Sequence, residues 1–305
     1  MSWEEFAKKK IAERRWDDLR QFWAEHVSPG RLAGARPSDE LGDIVALLDV
    51  ARESGRDKEQ RFDSIQGLNE SILGEGLFLI HAAVRVIGSA QSHVGTGART
   101  WSHVSAYQGA FFAAKGILRL CGVAHAEVNN KTLFIDVFSP RSGSKQRKGD
   151  ASRQTLVELV TRLEHRQYWI IFLRVLRGLK GIAGLPKPVL NALAVLDPSD
   201  FARQRNALNY RCSEWPSESV YFELSGGYAG EDALERIADP GCEDFTVALA
   251  LVVLRLAAAF VDDLAAEVPS LREDQELMRS YLAVDEHHLY RLFAVSVGTS
   301  FQNRG

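Results

Sequence analysis

The sequence predicts a mainly α-helical protein with a small β insertion, and three observations lead to this fold class. Most of the chain has apolar residues three or four positions apart, as in amphipathic helices. One segment, Lys131–Phe138, is instead rich in aromatic and β-branched residues, which is typical of a strand. Hydrophobic residues make up 46% and charged residues 25% of the 305 residues, a composition that excludes disordered and fibrous proteins.

The N-terminal region, residues 1–62, is predicted to form a helical extension. Trp3–Phe22 has apolar residues at helical spacing with charges between them, so we expect one amphipathic helix there. A linker with glycine and proline follows, and a second helix is expected at Asp39–Glu53. The remainder, residues 63–305, is expected to form the main helical domain.

The same spacing predicts the helices of this main domain. The longer ones are Asp63–Ala90, Trp101–Leu120, Thr155–Leu179, Pro198–Tyr210 and Phe245–Glu267, and shorter ones are expected at Val189–Leu196 and Leu271–Leu282. The most apolar run, Phe245–Val261, is short for a bilayer span and contains Arg255, so it predicts a buried core helix and no membrane contact.

The β insertion is expected around residues 131–153 and 219–224. Lys131–Phe138 forms the first predicted strand, and a polar loop, Ser139–Arg153, follows it. Ser219–Leu224 is the second candidate strand, and it is expected to pair with the first in a small hairpin.

Composition and motifs exclude several functional classes. The net charge of -3 argues against nucleic-acid affinity over the whole surface, although a local basic patch remains compatible with it. Three cysteines without a paired spacing argue against a disulfide framework or a four-cysteine zinc site, and a reducing cytoplasm fits them. The sequence lacks the phosphate-binding loop, the dinucleotide fingerprint, the zinc-protease motif and the serine-hydrolase elbow. We therefore expect no cofactor and no metal, and interpret Asp285–His288 as a solvated surface cluster.

Two segments carry a family resemblance. Residues 105–122 read Ser-Ala-Tyr-Gln-Gly-Ala-Phe-Phe-Ala-Ala-Lys-Gly-Ile-Leu-Arg-Leu-Cys-Gly, which resembles the Ala-rich HEPN helix that ends at glycine. Residues 199–210 read Ser-Asp-Phe-Ala-Arg-Gln-Arg-Asn-Ala-Leu-Asn-Tyr, which resembles the later HEPN helix carrying Arg-Asn before Tyr or His. The chain is also similar to the YaaC-like group. The resemblance spans roughly residues 68–265 and implies a HEPN-type helical bundle.

The resemblance also implies a site at Arg205, Asn206 and Tyr210. HEPN ribonucleases use an arginine to stabilise phosphate charge and a histidine to move a proton, with four to six residues between the two. After Arg205 those positions hold Tyr210, Arg211 and Cys212, so the usual histidine is replaced by tyrosine. The alternative interpretation is a structural hydrogen-bond network within the bundle.

Two other arginine–histidine pairs have the same spacing, Arg20 with His26 and Arg119 with His125. About two such matches are expected by chance in this composition, so both pairs are weaker candidates than Arg205.

A basic loop is the strongest candidate for a nucleic-acid contact. The predicted contacts are Arg141, Lys145, Arg147 and Lys148, together with Arg203. The alternative is a solvated loop.

The resemblance implies two functions from different classes. The first is a bacterial toxin or phage-defence protein acting on RNA through a metal-independent ribonuclease-type site. The second is a non-catalytic HEPN-fold interaction protein that binds a protein, a nucleotide or a nucleic acid. A homodimer and an antitoxin or defence-system partner are the expected assemblies.

Overall fold

The computed structural model describes most of the chain, namely residues 2–28, 41–53, 59–95, 99–141, 153–182, 184–210, 230–241, 245–273 and 275–276. These residues are mainly helical with a small sheet, which confirms the coarse fold class. The chain forms two compact units, each built from two segments: Met1–Leu77 with Ile117–Ile182, and Phe78–Gly116 with Ala183–Gly305. The boundary expected at residue 62 falls inside the first unit.

The helices of the described residues are numbered in chain order. They are α1 (Trp3–Lys10), α2 (Trp16–His26), α3 (Gly42–Glu53), α4 (Leu68–Gly95), α5 (Arg99–Leu120), α6 (His165–Arg177), α7 (Lys187–Ala194), α8 (Pro198–Tyr210), α9 (Gly230–Ile237) and α10 (Phe245–Ala265), followed by a 3₁₀ turn at Pro269–Leu271. Four of the five longer predicted helices are confirmed, as are the two shorter segments at α3 and α7. The second half of the segment Leu271–Leu282 lies outside the described residues.

The strands of the described residues form two sheets. They are β1 (Arg14–Arg15), β2 (Glu59–Phe62), β3 (Val123–Val128), β4 (Lys131–Pro140), β5 (Arg153–Val160) and β6 (Leu179–Lys180). β1 and β6 form a short parallel pair. The other four form an antiparallel sheet in the order β2-β5-β4-β3.

The four-stranded sheet is the centre of the first unit. Eight consecutive residues of β4 are buried, so both faces of the sheet are covered at its middle strand. The helix α1 packs against α6, and its Phe6 meets Phe134 of β4 edge to face at 5.2 Å. The turn between β3 and β4 uses Asn129 and Asn130, both with positive φ, as a tight hairpin of this kind requires.

The N-terminal residues are part of this core. Trp16 and Trp23 are fully buried, and the indole N–H of Trp23 donates to the carbonyl of Leu120 at 2.8 Å. Arg14 forms a buried ion pair with Asp136 of β4. The predicted extension is therefore anchored to the sheet by apolar, hydrogen-bonding and ionic contacts.

The prediction of a single helix at Trp3–Phe22 is wrong. The helix ends at Lys10, and the chain runs extended through β1 before α2 begins at Trp16. Buried contacts of Arg14 and the pairing of β1 with β6 hold this break open. Apolar spacing alone does not register such contacts, because it continues across the break.

The predicted helix Thr155–Leu179 is wrong in its first half. Residues 153–160 form β5, and only His165–Arg177 are helical. β5 lies between β2 and β4, so residues such as Leu156 and Val157 are buried on both faces. A strand of this kind gives a continuous apolar run that periodicity does not distinguish from a buried helix.

The predicted β-hairpin insertion is too small, because the structure has a four-stranded antiparallel sheet. The strand at Lys131–Phe138 is confirmed as part of β4. Its expected partner, Ser219–Leu224, lies outside the described residues. Both edges of β4 are already paired, by β3 and by β5, which leaves no edge for a further strand there.

The second unit is a set of packed helices. α10 is buried over most of its surface, and its Thr246 is hydrogen-bonded to Nδ1 of His103 on α5 at 2.8 Å. Gly109 of α5 lies so close to α4 that a Cβ there would be 2.5 Å from Cγ1 of Ile87. A side chain at position 109 would collide with α4, so glycine suits this position, as expected from the close helix packing that the Ala-rich segment implies.

Two helices are long and apolar enough to cross a membrane by length and composition. They are Leu68–Ala90, 56% buried in its apolar window, and Phe245–Ala265, 83% buried. Burial inside the fold makes them weak evidence for a membrane span, because core helices share this composition. The absence of membrane contact remains a prediction.

Candidate functional site

The predicted site residues lie on α8, which has one buried and one polar face. Asp197 precedes the helix and accepts a hydrogen bond from the backbone N–H of Ser199 at 2.8 Å, as an N-terminal cap does. Phe201 is fully buried and packs on Phe245, with ring centroids 6.1 Å apart. Gln204 donates to the carbonyl of Pro240. These contacts fix the orientation of the helix.

The polar face of α8 carries Arg203, Arg205 and Asn206. Arg203 is 61% exposed and its guanidinium is paired within the helix, with Asp200 at 2.9 Å. Nη1 of Arg205 donates to Oδ1 of Asn206 at 3.1 Å, and Asn206 is exposed while Arg205 is half-buried. Tyr210 is the last residue of the helix, so it lies one turn after Asn206, but its side chain is outside the described part of the structure.

This arrangement offers cations and an amide to an anion. A guanidinium presents a planar fork of donors that matches phosphate, and Asn206 limits the directions that Arg205 takes. The sequence has no histidine between His165 and His287, so α8 and its neighbours in sequence supply no imidazole base. The face is therefore suited to binding phosphate, and a proton-transfer step would need a group from elsewhere.

The predicted basic loop is described only at its first residue. Arg141 is exposed, and its Nη2 lies 3.4 Å from Oδ1 of Asp63. Lys145, Arg147 and Lys148 lie outside the described residues, so their role as nucleic-acid contacts remains a prediction.

The pair Arg20 and His26 lies along α2. Nη2 of Arg20 is 3.0 Å from Oδ1 of Asp17 in the preceding turn. The ring of His26 stacks on Phe22 with centroids 4.5 Å apart. These two contacts run to different neighbours, and they describe an ordinary helix surface.

The pair Arg119 and His125 belongs to a largely buried cluster in the first unit. Arg119, at the end of α5, is only 2% exposed, and its Nε donates to Oε2 of Glu75 at 2.7 Å. His125, on the edge strand β3, has its ring centroid 5.0 Å from that of Tyr168 on α6. The charge of Arg119 also acts on the phenol of Tyr168, so Tyr168 is near both members of the pair.

Electrostatics link the members of this cluster. Burial raises the pKa of Tyr168, the charge of Arg119 opposes that rise, and Glu75 and Glu127 add to it. The phenol is therefore protonated at neutral pH. Tyr168 and Glu75 are the members that sequence reasoning missed. The spacing of Arg119 and His125 was the available signal, but it gave no indication of the third and fourth residues.

The remaining buried charges of the first unit stabilise the fold. Lys10 contacts Glu59 at 2.5 Å and Glu158 at 2.6 Å, joining α1 to β2 and β5. Cys121 is fully buried, and burial raises the pKa of its thiol to about 12, so it is a poor nucleophile. These groups tie elements together and show no arrangement for a reaction.

No cluster of three or more metal-ligating side chains occurs among the residues that the structure describes. The acidic and histidine-containing segment Asp285–His288 lies outside that part of the chain. Comparisons of the chain with protein-family models, with curated proteins and with solved structures find no match.

Proposed function

We propose that the chain is an RNA-directed HEPN-like protein that contacts RNA phosphates through the polar face of α8. The observation that carries this proposal is the accessibility of the cations there. Arg203 is mostly exposed and pairs with Asp200 of the same helix, and Arg205 is half-buried beside an exposed Asn206. A structural network would bury these groups, whereas their exposure leaves them accessible to a ligand.

Two details of the helices support the HEPN resemblance. α5 ends at Leu120 and is followed by Gly122, which has φ +78°, the left-handed conformation of a glycine helix terminus, at the place where the family motif has its glycine. The close approach of Gly109 to Ile87 fits the small residues of the same motif. Both details concern packing, and the assignment to this superfamily is part of the proposal.

Binding without cleavage at α8 is the function that the geometry supports best. An arginine fork and an amide recognise phosphate, but ribonuclease chemistry of this type also needs a group that moves a proton. A tyrosine has an ordinary pKa near 10, which makes it a poor base at neutral pH. A role in a cytoplasmic toxin or phage-defence system, with an antitoxin or other protein partner, is part of this proposal.

A second candidate is cleavage at the cluster around Tyr168. It contains an arginine, a histidine at the family spacing, a phenol and a carboxylate, which are the groups that metal-independent RNA cleavage uses. Its obstacle is burial, because Arg119 and His125 are almost inaccessible in this conformation. Cleavage there would require α6 to move from β3.

The binding proposal is tested with Arg205→Ala. We expect weaker binding of a short fluorescent single-stranded RNA, and a salt slope reduced by about 0.7 for the missing phosphate contact. The melting temperature should change little, because the side chain that is removed is half-exposed. Arg166→Ala is the matched control, since Arg166 is an exposed arginine of the first unit paired with Glu4 at 2.9 Å. Equal RNA binding by both variants would contradict the role of α8.

Cleavage is tested separately with the same RNA in EDTA. If the wild-type protein does not cleave the RNA, only the binding function remains proposed. With activity, His125→Gln is expected to abolish cleavage and preserve RNA affinity if the buried cluster is the site. Arg205→Ala would instead abolish both activities if α8 carries the chemistry.

The basic loop is tested by replacing Lys145, Arg147 and Lys148 with serine together. If these residues neutralise three phosphates of single-stranded RNA, the salt slope of the triple variant is smaller by about 2, because fewer counterions are released. An unchanged slope would identify the segment as a solvated linker.

The expected homodimer is tested by light scattering at micromolar concentration. We expect about twice the mass of one chain, because HEPN-type sites are formed where two copies meet. A mass of one chain that persists on concentration would exclude the dimer.

A further inference from the structure

The first unit has a group of arginines at one end of its four-stranded sheet, where β4 ends and β5 begins. We name it the arginine rim, and it consists of Arg15, Arg20, Arg61, Arg141 and Arg153. Its members come from separate parts of the chain. The pairing of Pro140 with Arg153 places the two strand ends side by side.

Contacts between neighbours hold the rim together. Nη1 of Arg61 donates to Oγ of Ser139 and to the carbonyl of Pro140, both at 3.1 Å, so this arginine of β2 reaches across β5 to β4. Asp18 of α2 lies between two other members, 3.7 Å from Nε of Arg15 and 3.8 Å from Nη2 of Arg153. These contacts place Arg61 beside the end of β4, and Arg15 and Arg153 on either side of Asp18.

Arg153 is held by an aromatic ring. Its guanidinium carbon lies over the ring of Phe138, 4.1 Å from the centroid, a cation–π contact. The side chain is 20% exposed. This contact holds the guanidinium against the ring, so little freedom is lost when the exposed part of the fork binds an anion.

The charge of Arg153 is incompletely compensated by the residues that the structure describes. Its Nε is buried and has no hydrogen-bond partner among the described residues. Its nearest carboxylate, on Asp18, is beyond hydrogen-bonding distance. Burial lowers the pKa of Arg153 and the charge of Arg14 adds to this, while Asp18 and Asp136 oppose it. A second anion at this place would stabilise the cation.

The ion pairs at the rim differ from those in the core. Arg15 is 61% exposed, and its contacts with Asp17 and Asp18 are 3.5 and 3.7 Å long. Long pairs between exposed groups contribute little to stability and are exchanged readily for other partners. Asp18 therefore occupies a position between two guanidinium groups that a phosphate oxygen would also fit.

We propose that Arg15 and Arg153 form a phosphate-binding site on the first unit, with Asp18 as an internal competitor for the same two guanidinium groups. As an RNA contact, the site rests on the proposed function and adds a second contact surface to α8. As a phosphate site, it would also take a nucleotide or inorganic phosphate. Arg153, held against Phe138, supplies a positioned fork of donors, and the exposed Arg15 adds charge.

Three variants of the full chain test this site with a short fluorescent single-stranded RNA. Arg153→Ala is expected to weaken binding about tenfold, the effect of losing a charge-assisted hydrogen bond, and to lower the salt slope by about 0.7. Asp18→Asn is expected to strengthen binding, because it removes the competing carboxylate while preserving the size of the side chain. Arg166→Ala, the control used for α8, should bind as the wild type does.

The direction of the Asp18→Asn effect separates the proposal from a general loss of charge or structure. Damage to the fold weakens binding in every variant, whereas this site requires one variant to bind more tightly. Circular dichroism melts of the three variants identify any that are unfolded at the assay temperature, and Arg153→Lys replaces Arg153→Ala if that variant is one of them. Arg153→Lys preserves the charge and removes the fork, so weaker binding by this variant supports the bidentate contact.

The outcomes also separate this site from α8. One outcome is that Arg205→Ala weakens RNA binding while the Arg153 and Asp18 variants bind as the wild type does. That result would overturn the rim site and preserve the proposed function. The reverse result would preserve the rim site and overturn the role of α8. Inorganic phosphate at millimolar concentration is added as a competitor of RNA. If it displaces RNA from the wild type and displaces less from Arg153→Ala, the site accepts single phosphate groups. A protein that binds neither RNA nor phosphate would overturn both proposals.

Discussion

Removing one partner from the buried ion pair of the first unit should be strongly destabilising. Nη2 of Arg14 lies 2.9 Å from Oδ2 of Asp136, and Nη1 lies 3.3 Å from Oδ1. Nη1 also donates to the carbonyl of Cys121 at 2.6 Å. The Arg14 side chain is 2% exposed and that of Asp136 is 0% exposed. We therefore choose Arg14→Ala as the perturbation.

The magnitude follows from what the substitution leaves behind. Asp136 would retain one donor among the described residues, the backbone N–H of Phe138 at 3.0 Å, and its charge would lie in the core without a hydrogen-bonded cation. Breaking a buried pair by removing one partner costs about 3–5 kcal/mol. With a urea m-value of about 3 kcal/mol per molar, the unfolding midpoint should fall by roughly 1 to 1.7 M.

The assay is urea unfolding followed by tryptophan fluorescence, because Trp16 and Trp23 are buried in the same unit. The exposed pair of Arg166 with Glu4 is the control, and Arg166→Ala should lower the free energy of unfolding by less than about 1 kcal/mol. The double variant Arg14→Met with Asp136→Leu should recover most of the loss, since it leaves no isolated charge. If Arg14→Ala shifts the midpoint no more than Arg166→Ala, the reasoning is refuted.

Three further predictions concern titration, reactivity and packing. Burial alone would lower the pKa of Lys10, but its contacts with Glu158 and Glu59 raise that pKa overall. Burial alone would raise the pKa of Glu59, but its contacts with Lys10 and Arg61 lower that pKa overall. The contacts of Lys10 and Glu59 should therefore stabilise the fold fully between the ordinary pKa values, 4.5 for glutamate and 10.5 for lysine. Below pH 4.5 and above pH 10.5, the free energy of unfolding of the wild type should fall more steeply with pH than that of Lys10→Met. Cys121 should resist iodoacetamide at pH 8 in the native protein and react in urea, measured by peptide mass spectrometry; native labelling would contradict its burial. Gly109→Ala should lower the melting temperature, because its Cβ would overlap the facing helix, and an unchanged melt would show that the helices separate easily.

The sequence by itself determined the long helices that are buried on one face or on all faces, because their apolar patterns are too long for a strand. Segments such as Trp101–Leu120 and Phe245–Glu267 have enough residues that a helical pattern has no competing interpretation, and the structure has helices there. The strand at Lys131–Phe138 was also predictable, because aromatic and β-branched residues suit a pleated surface. The glycine at the end of the Ala-rich segment, Gly122, marked a helix end.

Only the tertiary structure decided where the chain leaves the helical pattern. Thr155 and its neighbours form a central strand, whose apolar residues face two layers and so hide the alternation of an exposed strand. The break after Lys10 depends on Arg14 meeting Asp136, a partner 122 residues away. Local spacing contains no information about a contact at such a separation.

The candidate sites divide in the same way. The sequence was sufficient to place Arg205 and Asn206 on one helix, because residues of one helix keep a fixed spacing. It did not indicate that Tyr168 packs on His125 near Arg119, or that Asp18 lies between Arg15 and Arg153. Those groupings join residues from different strands and helices, and the pairing of strands and packing of helices that bring them together are set by burial across the whole first unit.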